Sequence, residues 1–400
     1  MQYRTVPKNG DSLSALGFGA MRLPTKRGNI DEERASRLIR HAIDQGVNYI
    51  DTAFSYHGGE SEKVLGRILT NGYREKVKLA TKLPPWNVQT REDMDKILSI
   101  QLKRLQTDHI DYYLLHSLNS GSWKKFQDLG VFEFLESAQQ AGLIKNIGFS
   151  FHGDRKTFRE IIDAYDWTFC QIQYNILDEE NQAGKDGLLY AASKNIAVMV
   201  MEPLRGGMLA EKVPKEVRHI YEKSGSLRTA AAFGLSWVWN HPEVTVVLSG
   251  MNDETHLAEN IATCDAATPG SLSDMDIQVI DDARDVYTKM MKVGCTGCSY
   301  CTPCPFGVNI PMCFYFYNQY HMLGDKLMTR GFYSMQLMGG MGSPGNASLC
   351  RQCGKCVSKC PQNIPIPEEL KEVAKTMDGL TTKLVFMIAK RMFGSSIKNE

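Results

Sequence analysis

Short apolar runs recur along the first 250 residues, and polar or amphipathic stretches separate them. The runs are ALGFG (15–19), NYIDTA (48–53), VKLATK (77–82), IDYYLLH (110–116), IKNIGFS (144–150), FCQIQYN (169–175), IAVMVMEP (196–203) and VTVVLSG (244–250). Several are apolar almost throughout, as parallel strands buried on both faces should be. Segments 31–45, 92–105 and 123–140 carry helical spacing, and Asp31 stands where it would cap the first. Eight strand–helix repeats in about 250 residues predict a (β/α)8 TIM barrel, an α/β fold. The opening YRTVPKNGDSLSAL, with its Asn-Gly, predicts a hairpin that closes the barrel's bottom.

Beyond a helical segment at 273–289 the pattern changes. Eight of the eleven cysteines fall into two runs, Cys295-x2-Cys298-x2-Cys301-x2-Cys304 before Pro305, and Cys350-x2-Cys353-x2-Cys356-x3-Cys360 before Pro361. Between them lie a predicted helix at 311–328 and the Met/Gly-rich stretch 334–348. The expected organisation is a barrel over 1–270, a connecting helix over 271–290, a mostly helical ferredoxin-like domain over 291–370 and a helical tail over 371–400. The basic, apolar segment 383–398 reads as a helix docked on its own domain.

Composition narrows the class. A net charge of +1 argues against a nucleic-acid surface. Residues 1–290 hold only Cys170 and Cys264, which read as core, so the cysteines are not a disulfide scaffold. Cys313 reads as a buried spare. No signal-like start and no apolar run of the roughly 18 residues a membrane span needs are present, so a cytoplasmic protein is expected.

A C-x2-C-x2-C-x3-C-P run is the bacterial-ferredoxin spacing for a [4Fe-4S] cluster, whose last cysteine serves the neighbouring cluster. Crossed in that way, Cys295, Cys298, Cys301 and Cys360 hold one cluster, and Cys350, Cys353, Cys356 and Cys304 the other. The first run has one residue fewer before its last cysteine, and a single cluster is the alternative. Zinc on two C-x2-C pairs is a weaker reading, because runs of four ending in Cys-Pro are typical of iron–sulfur sites.

Polar residues at the C-terminal ends of barrel strands are candidates for chemistry. Asp51, Lys82 and His116 end the second, third and fourth runs, and Tyr56 follows in the loop after Asp51. Each alone has a bland explanation in capping or packing; together on one face they favour catalysis. A phenol beside an ammonium can protonate a carbonyl oxygen, a carboxylate can hold that ammonium, and an imidazole can orient the carbonyl. No G-x-G-x-x-G follows a first strand, which excludes a Rossmann domain. The loops after strands seven and eight, with Pro203, Leu204, Arg205, Gly206 and then Ser249, Gly250, instead offer a phosphate site.

In NYIDTAFSY (48–56), LATK (79–82), DYYLLH (111–116) and KNIGFS (145–150), residues 1–270 resemble the aldo-keto reductase superfamily. With its cysteines, the whole chain resembles the branch that carries a C-terminal 4Fe-4S domain. The resemblance implies a catalytic tetrad of Asp51, Tyr56, Lys82 and His116. It also implies Ser150 and Gln171 at a nicotinamide carboxamide, and Glu259 and Asn260 near an adenine. Three positions depart from the family pattern. Met201 stands for the stacking aromatic, Gly250 and His256 for the residues that grip a 2′-phosphate, and Ser117 for a tryptophan. NADPH and NADH both stay open. Trp86 is a candidate pocket wall.

The expected function is an NAD(P)H-dependent oxidoreductase that interconverts a small-molecule carbonyl and an alcohol. Its clusters would relay electrons to a one-electron carrier protein. The alternatives are clusters that are structural or sense redox state, and a non-catalytic nucleotide-binding sensor, which would have no need of the four residues together.

Overall fold

The structure, a computed structural model, describes residues 1–211, 213–322, 326–339 and 343–382; the 383–398 segment lies outside them. The chain divides into two compact units, residues 1–204 with 227–280, and residues 205–226 with 281 onward.

In the first unit, β1 (Tyr3–Thr5) and β2 (Ser12–Ser14) form the predicted hairpin, with Tyr3 opposite Ser14. The barrel strands are β3 (Leu16–Gly19), β6 (Tyr49–Asp51), β7 (Lys78–Leu83), β8 (Ile110–Leu118), β9 (Ile144–Phe151), β10 (Phe169–Gln173), β11 (Ala197–Met201) and β12 (Val244–Ser249). All eight run parallel in that order and close, β12 pairing with β3. Each coincides with a predicted run, and β7, β8 and β9 extend one or two residues beyond theirs. A small hairpin of β4 (Thr25–Lys26) and β5 (Asn29–Ile30) precedes the first barrel helix.

The barrel interior is packed. Val6 and Leu13 from the N-terminal hairpin region join Tyr49, Tyr112, Phe169 and Met199 in one buried cluster. Tyr112 meets Tyr49 and Phe169 edge-on, with ring centroids 5.4 and 5.0 Å apart. Full burial of each large side chain contributes about 1.5–3 kcal/mol, so the strands are held rigidly below the site.

Asp31 caps helix Glu32–Asp44, accepting from the Arg34 backbone N–H. The helix predicted over 123–140 is two helices, Ser120–Asp128 and Val131–Gln140. They break at Gly130, which takes the left-handed φ of 69° that glycine adopts without steric cost.

The second unit contains no strand among its described residues. Its helices include Ile310–Met322, Lys326–Leu337 and Ile366–Met377. Where one helix was expected at 311–328, the described residues carry Ile310–Met322 and Lys326–Leu337, and the latter extends into the Met/Gly-rich stretch. Ile310, Phe314, Tyr333, Ile366 and Val373 form a core against which six of the eight cysteines in the two runs are packed. The buried Asp378 carboxylate accepts from Tyr333 Oη (2.8 Å), Asn346 Nδ2 (3.0 Å) and Ser348 N and Oγ (2.7 and 2.6 Å), so it anchors the loop that leads into Cys350.

Candidate active site and cysteine centres

Three adjacent strands carry Asp51, Lys82 and His116 to one end of the barrel, where all three are buried. Lys82 Nζ, fully buried, donates to both Asp51 carboxylate oxygens at 2.6 and 2.7 Å and to the Thr52 carbonyl at 2.7 Å. The Tyr56 hydroxyl stands 3.5 Å from the same nitrogen. Burial pushes the Lys82 ammonium down and the Asp51 carboxyl up, and their direct contact opposes both shifts. The three acceptors around Nζ suit the charged ammonium, because the Thr52 carbonyl can only accept. The four predicted residues thus come together.

His116 is held neutral. Burial pushes its imidazole well below the usual histidine range, and the nearby Lys82 and His152 add to this. Its ring lies 6.1 Å from that of Tyr56 and 5.1 Å from that of Trp86, which forms a wall over it.

Two buried networks around these residues were not visible in the sequence. Behind β7, the fully buried Glu62 accepts from Thr81 Oγ1 (2.7 Å), Gln101 Nε2 (2.9 Å) and Arg104 Nη1 (3.0 Å). Gln101 also donates to the Lys82 carbonyl (3.0 Å), and Arg104 to the Phe54 carbonyl (3.3 Å). The strand under Lys82 and the loop that bears Tyr56 therefore share one brace. The second network starts at Asp178. Gln173 Nε2 donates to its Oδ2 at 2.7 Å, and Gln182 Nε2 donates to Gln173 Oε1 at 3.0 Å. Gln182 Oε1 is left to accept from His152 Nδ1 at 3.1 Å, which assigns the Nδ1–H tautomer. Burial pushes His152 down to about 4, so this imidazole is also neutral at pH 7.

Among the residues expected at a nucleotide, Ser150 and Gln171 are register partners on β9 and β10. Ser150 Oγ accepts from the Ser117 backbone N–H at 2.7 Å. Gln171 Oε1 is buried without a hydrogen-bond partner among the described residues, as a carbonyl awaiting an amide N–H would be. Its Nε2 meets the Met201 sulfur at 3.5 Å. Asn260 Nδ2 donates to Ser249 Oγ at 2.9 Å, so those two also meet, and Glu259 accepts from Thr229. Gly250 faces Arg22: a β-carbon there would lie 3.2 Å from Arg22 Cβ. Pro203 and Leu204 end the first unit's chain after β11, whereas Arg205 and Gly206 belong to the second. Arg205 is buried, its guanidinium on the Gly294 carbonyl (3.1 Å) and the Met291 sulfur (2.7 Å).

Residues 15–285 match the aldo/keto reductase family. The chain belongs to that family. The match spans the barrel and its strand-end residues. Methylglyoxal reductase YeaE of Escherichia coli is 29% identical over 292 residues, which cover 71% of this chain and 95% of the relative. L-galactose dehydrogenase of Arabidopsis thaliana is 27% identical, over 66% of this chain and 88% of its own. The holo form of aldo-keto reductase AKR11C1 from Bacillus halodurans superposes with a TM-score of 0.59 at 25% identity, covering 71% of this chain and 96% of that one. A Klebsiella pneumoniae aldo-keto reductase in complex with NADPH gives 0.57 at 25%, covering 70% and 95%.

This aldo/keto reductase carries its cysteine runs on two loops of matching conformation. At the second position after the first cysteine, Gly297 and Gln352 have φ of 72° and 55°; two residues later Ser299 and Gly354 have 66° and 72°. In each loop the backbone N–H at that second position donates to the first thiol, Gly297 to Cys295 Sγ and Gln352 to Cys350 Sγ, both at 3.4 Å. The two loops approach each other. Cys301 lies within electrostatic reach of Cys295, Cys298 and Cys360, and Cys356 of Cys350, Cys353 and Cys304. A cavity of about 310 Å³ is lined by Cys304, Cys350, Cys353 and Cys356, with Phe306 and Leu370 among its apolar walls. No three His, Cys, Asp or Glu side chains converge on a single-ion site among the described residues. Residues 294–364 match the 4Fe-4S dicluster domain, and the donor set and loop conformation fit it.

Proposed function

We propose that this oxidoreductase reduces a small carbonyl compound, and oxidises the alcohol in reverse, with NAD(P)H as its cofactor. The observation that carries this is the fully buried Lys82 ammonium, seated on Asp51 with the Tyr56 hydroxyl 3.5 Å away. Bound NAD(P)H would supply the hydride. Tyr56 gives its proton to the carbonyl oxygen as charge develops there, and Lys82 stabilises the phenolate left behind. Asp51 keeps Lys82 charged and in place. His116, neutral, donates a single N–H to the same oxygen and orients it, and Trp86 shields that end of the pocket. Gln171 and Ser150 would hold the carboxamide end of the nucleotide, with Ser249, Gly250, Glu259 and Asn260 toward its other end. Replacing Tyr56 by Phe is expected to remove carbonyl reduction, scored with methylglyoxal as probe, while nucleotide affinity stays within about threefold. Unchanged turnover would defeat the assignment.

For the second unit we propose two [4Fe-4S] clusters, one on Cys295, Cys298, Cys301 and Cys360 and the other on Cys304, Cys350, Cys353 and Cys356. Such clusters would give the protein one-electron capacity beside its two-electron chemistry. Anaerobic protein should contain about eight iron and eight sulfide per chain. About four would support a single cluster, and stoichiometric zinc would overturn the proposal.

A further inference from the structure

We propose that the surface around Cys353 docks a small acidic one-electron carrier protein; this rests on the cluster assignment above. Of the eight cysteines in the two runs, Cys353 is the exposed one. It lines the 310 Å³ cavity together with the rest of its quartet, and the side chains of Arg351, Lys355 and Lys359 line that cavity too. Electron exchange weakens steeply with distance, so the cluster nearest solvent is the exchange point for a partner.

Charge selects the partner. From residue 343 to 365 the chain has those three cations and no Asp or Glu. All three are exposed, and no carboxylate among the described residues pairs with them. The other cysteine loop, residues 293–309, has no charged side chain at all. The two loops, alike in backbone conformation, thus differ in charge, and the local excess of three cations lies at one cysteine loop. An acidic partner is steered to such a patch and oriented with its redox centre toward it. Phe306 and Val357, 44% and 41% exposed, provide an apolar contact beside the cations, as small transient redox interfaces require. In the exchange the carrier loses one electron and the cluster on Cys304, Cys350, Cys353 and Cys356 gains it, or the reverse. No bond or proton changes hands.

The test uses iron-loaded, full-length protein under anoxia and measures binding of an acidic flavodoxin by calorimetry. Basic cytochrome c and a double-stranded oligonucleotide are the comparison probes. Flavodoxin should bind with micromolar affinity, weaken about tenfold or more between 50 and 200 mM salt, and outcompete both other probes. Lys355→Glu with Lys359→Glu should weaken it a further tenfold or more, with iron content and carbonyl reduction unchanged. Lys355→Gln with Lys359→Gln should fall between. Iron well below eight atoms per chain would overturn the cluster assignment and the docking together. Full iron with no flavodoxin binding would overturn the docking alone. Binding indifferent to salt and to charge reversal, or tighter binding of cytochrome c or the oligonucleotide, would do the same.

Discussion

Lys82→Met separates the charge of the lysine from every other role it could have. At an effective dielectric of about 20, a unit charge 3.5 Å from the phenol oxygen stabilises phenolate by about 5 kcal/mol. The Asp51 carboxylate is no farther from that oxygen than about 6 Å, and opposes it by about 3 kcal/mol or slightly more. The pair together therefore favours phenolate by about 1–2 kcal/mol. Removing Lys82 alone loses the whole lysine contribution and leaves the carboxylate acting against the phenolate, a fall of roughly 10³-fold in kcat/KM. Adding Asp51→Asn removes the opposing charge, so the double variant should recover to within about 30-fold of the parent enzyme. The assay is kcat/KM for reduction of a probe aldehyde with NADH or NADPH, with nucleotide affinity measured alongside to establish that the barrel is intact. A double variant as slow as Lys82→Met, with nucleotide affinity preserved, would refute the electrostatic account and give Lys82 a positional or proton-carrying role instead.

Two further outcomes follow from the buried networks. The His152 imidazole resists protonation down to about 4, whereas an unfolded chain takes up that proton from about 6.5 downward. The unfolded state then binds more protons, so stability falls as pH falls. The loss at pH 5 is about 2 kcal/mol relative to pH 7. Denaturant titrations at both pH values should show it, and His152→Phe should remove that part of the slope; an unchanged slope would exclude His152 as its source. Arg104→Met leaves the Glu62 carboxylate buried without its cation, which costs about 3–5 kcal/mol. Thermal melting should register the loss, and adding Glu62→Gln should restore most of it. A variant that melts with the parent protein would show that Arg104 is not the counter-charge.

The barrel was legible because parallel strands covered on both faces leave long apolar runs, and the grouping of Asp51, Lys82 and His116 because they sit toward strand ends, with Tyr56 in the loop after the first. The 4Fe-4S domain was legible from the cysteine spacing. Glu62, Gln101 and Arg104 were not legible. On amphipathic helices such residues look like solvated positions, and only the barrel's curvature turns them inward. The His152–Gln182–Gln173–Asp178 chain escaped for a related reason: its members come from different loops and strands, with no local pattern to join them. Gly130, inside an otherwise periodic segment, was the available sign that 123–140 would break.

The proposed pairing of Cys301 with Cys360, and of Cys304 with Cys350, Cys353 and Cys356, would also impose an order on biosynthesis. The first loop emerges from the ribosome some sixty residues before its fourth ligand, and the second loop closes only on a cysteine made long before it. Neither site can be filled early by its own segment. A barrel that finishes by residue 280 can fold while both sites are still open. With those proposed ligand sets, iron insertion would be a late, joint event. On the proposed ligand sets, a chain truncated between residues 290 and 355 would keep the barrel segments but lack at least one ligand of each cluster.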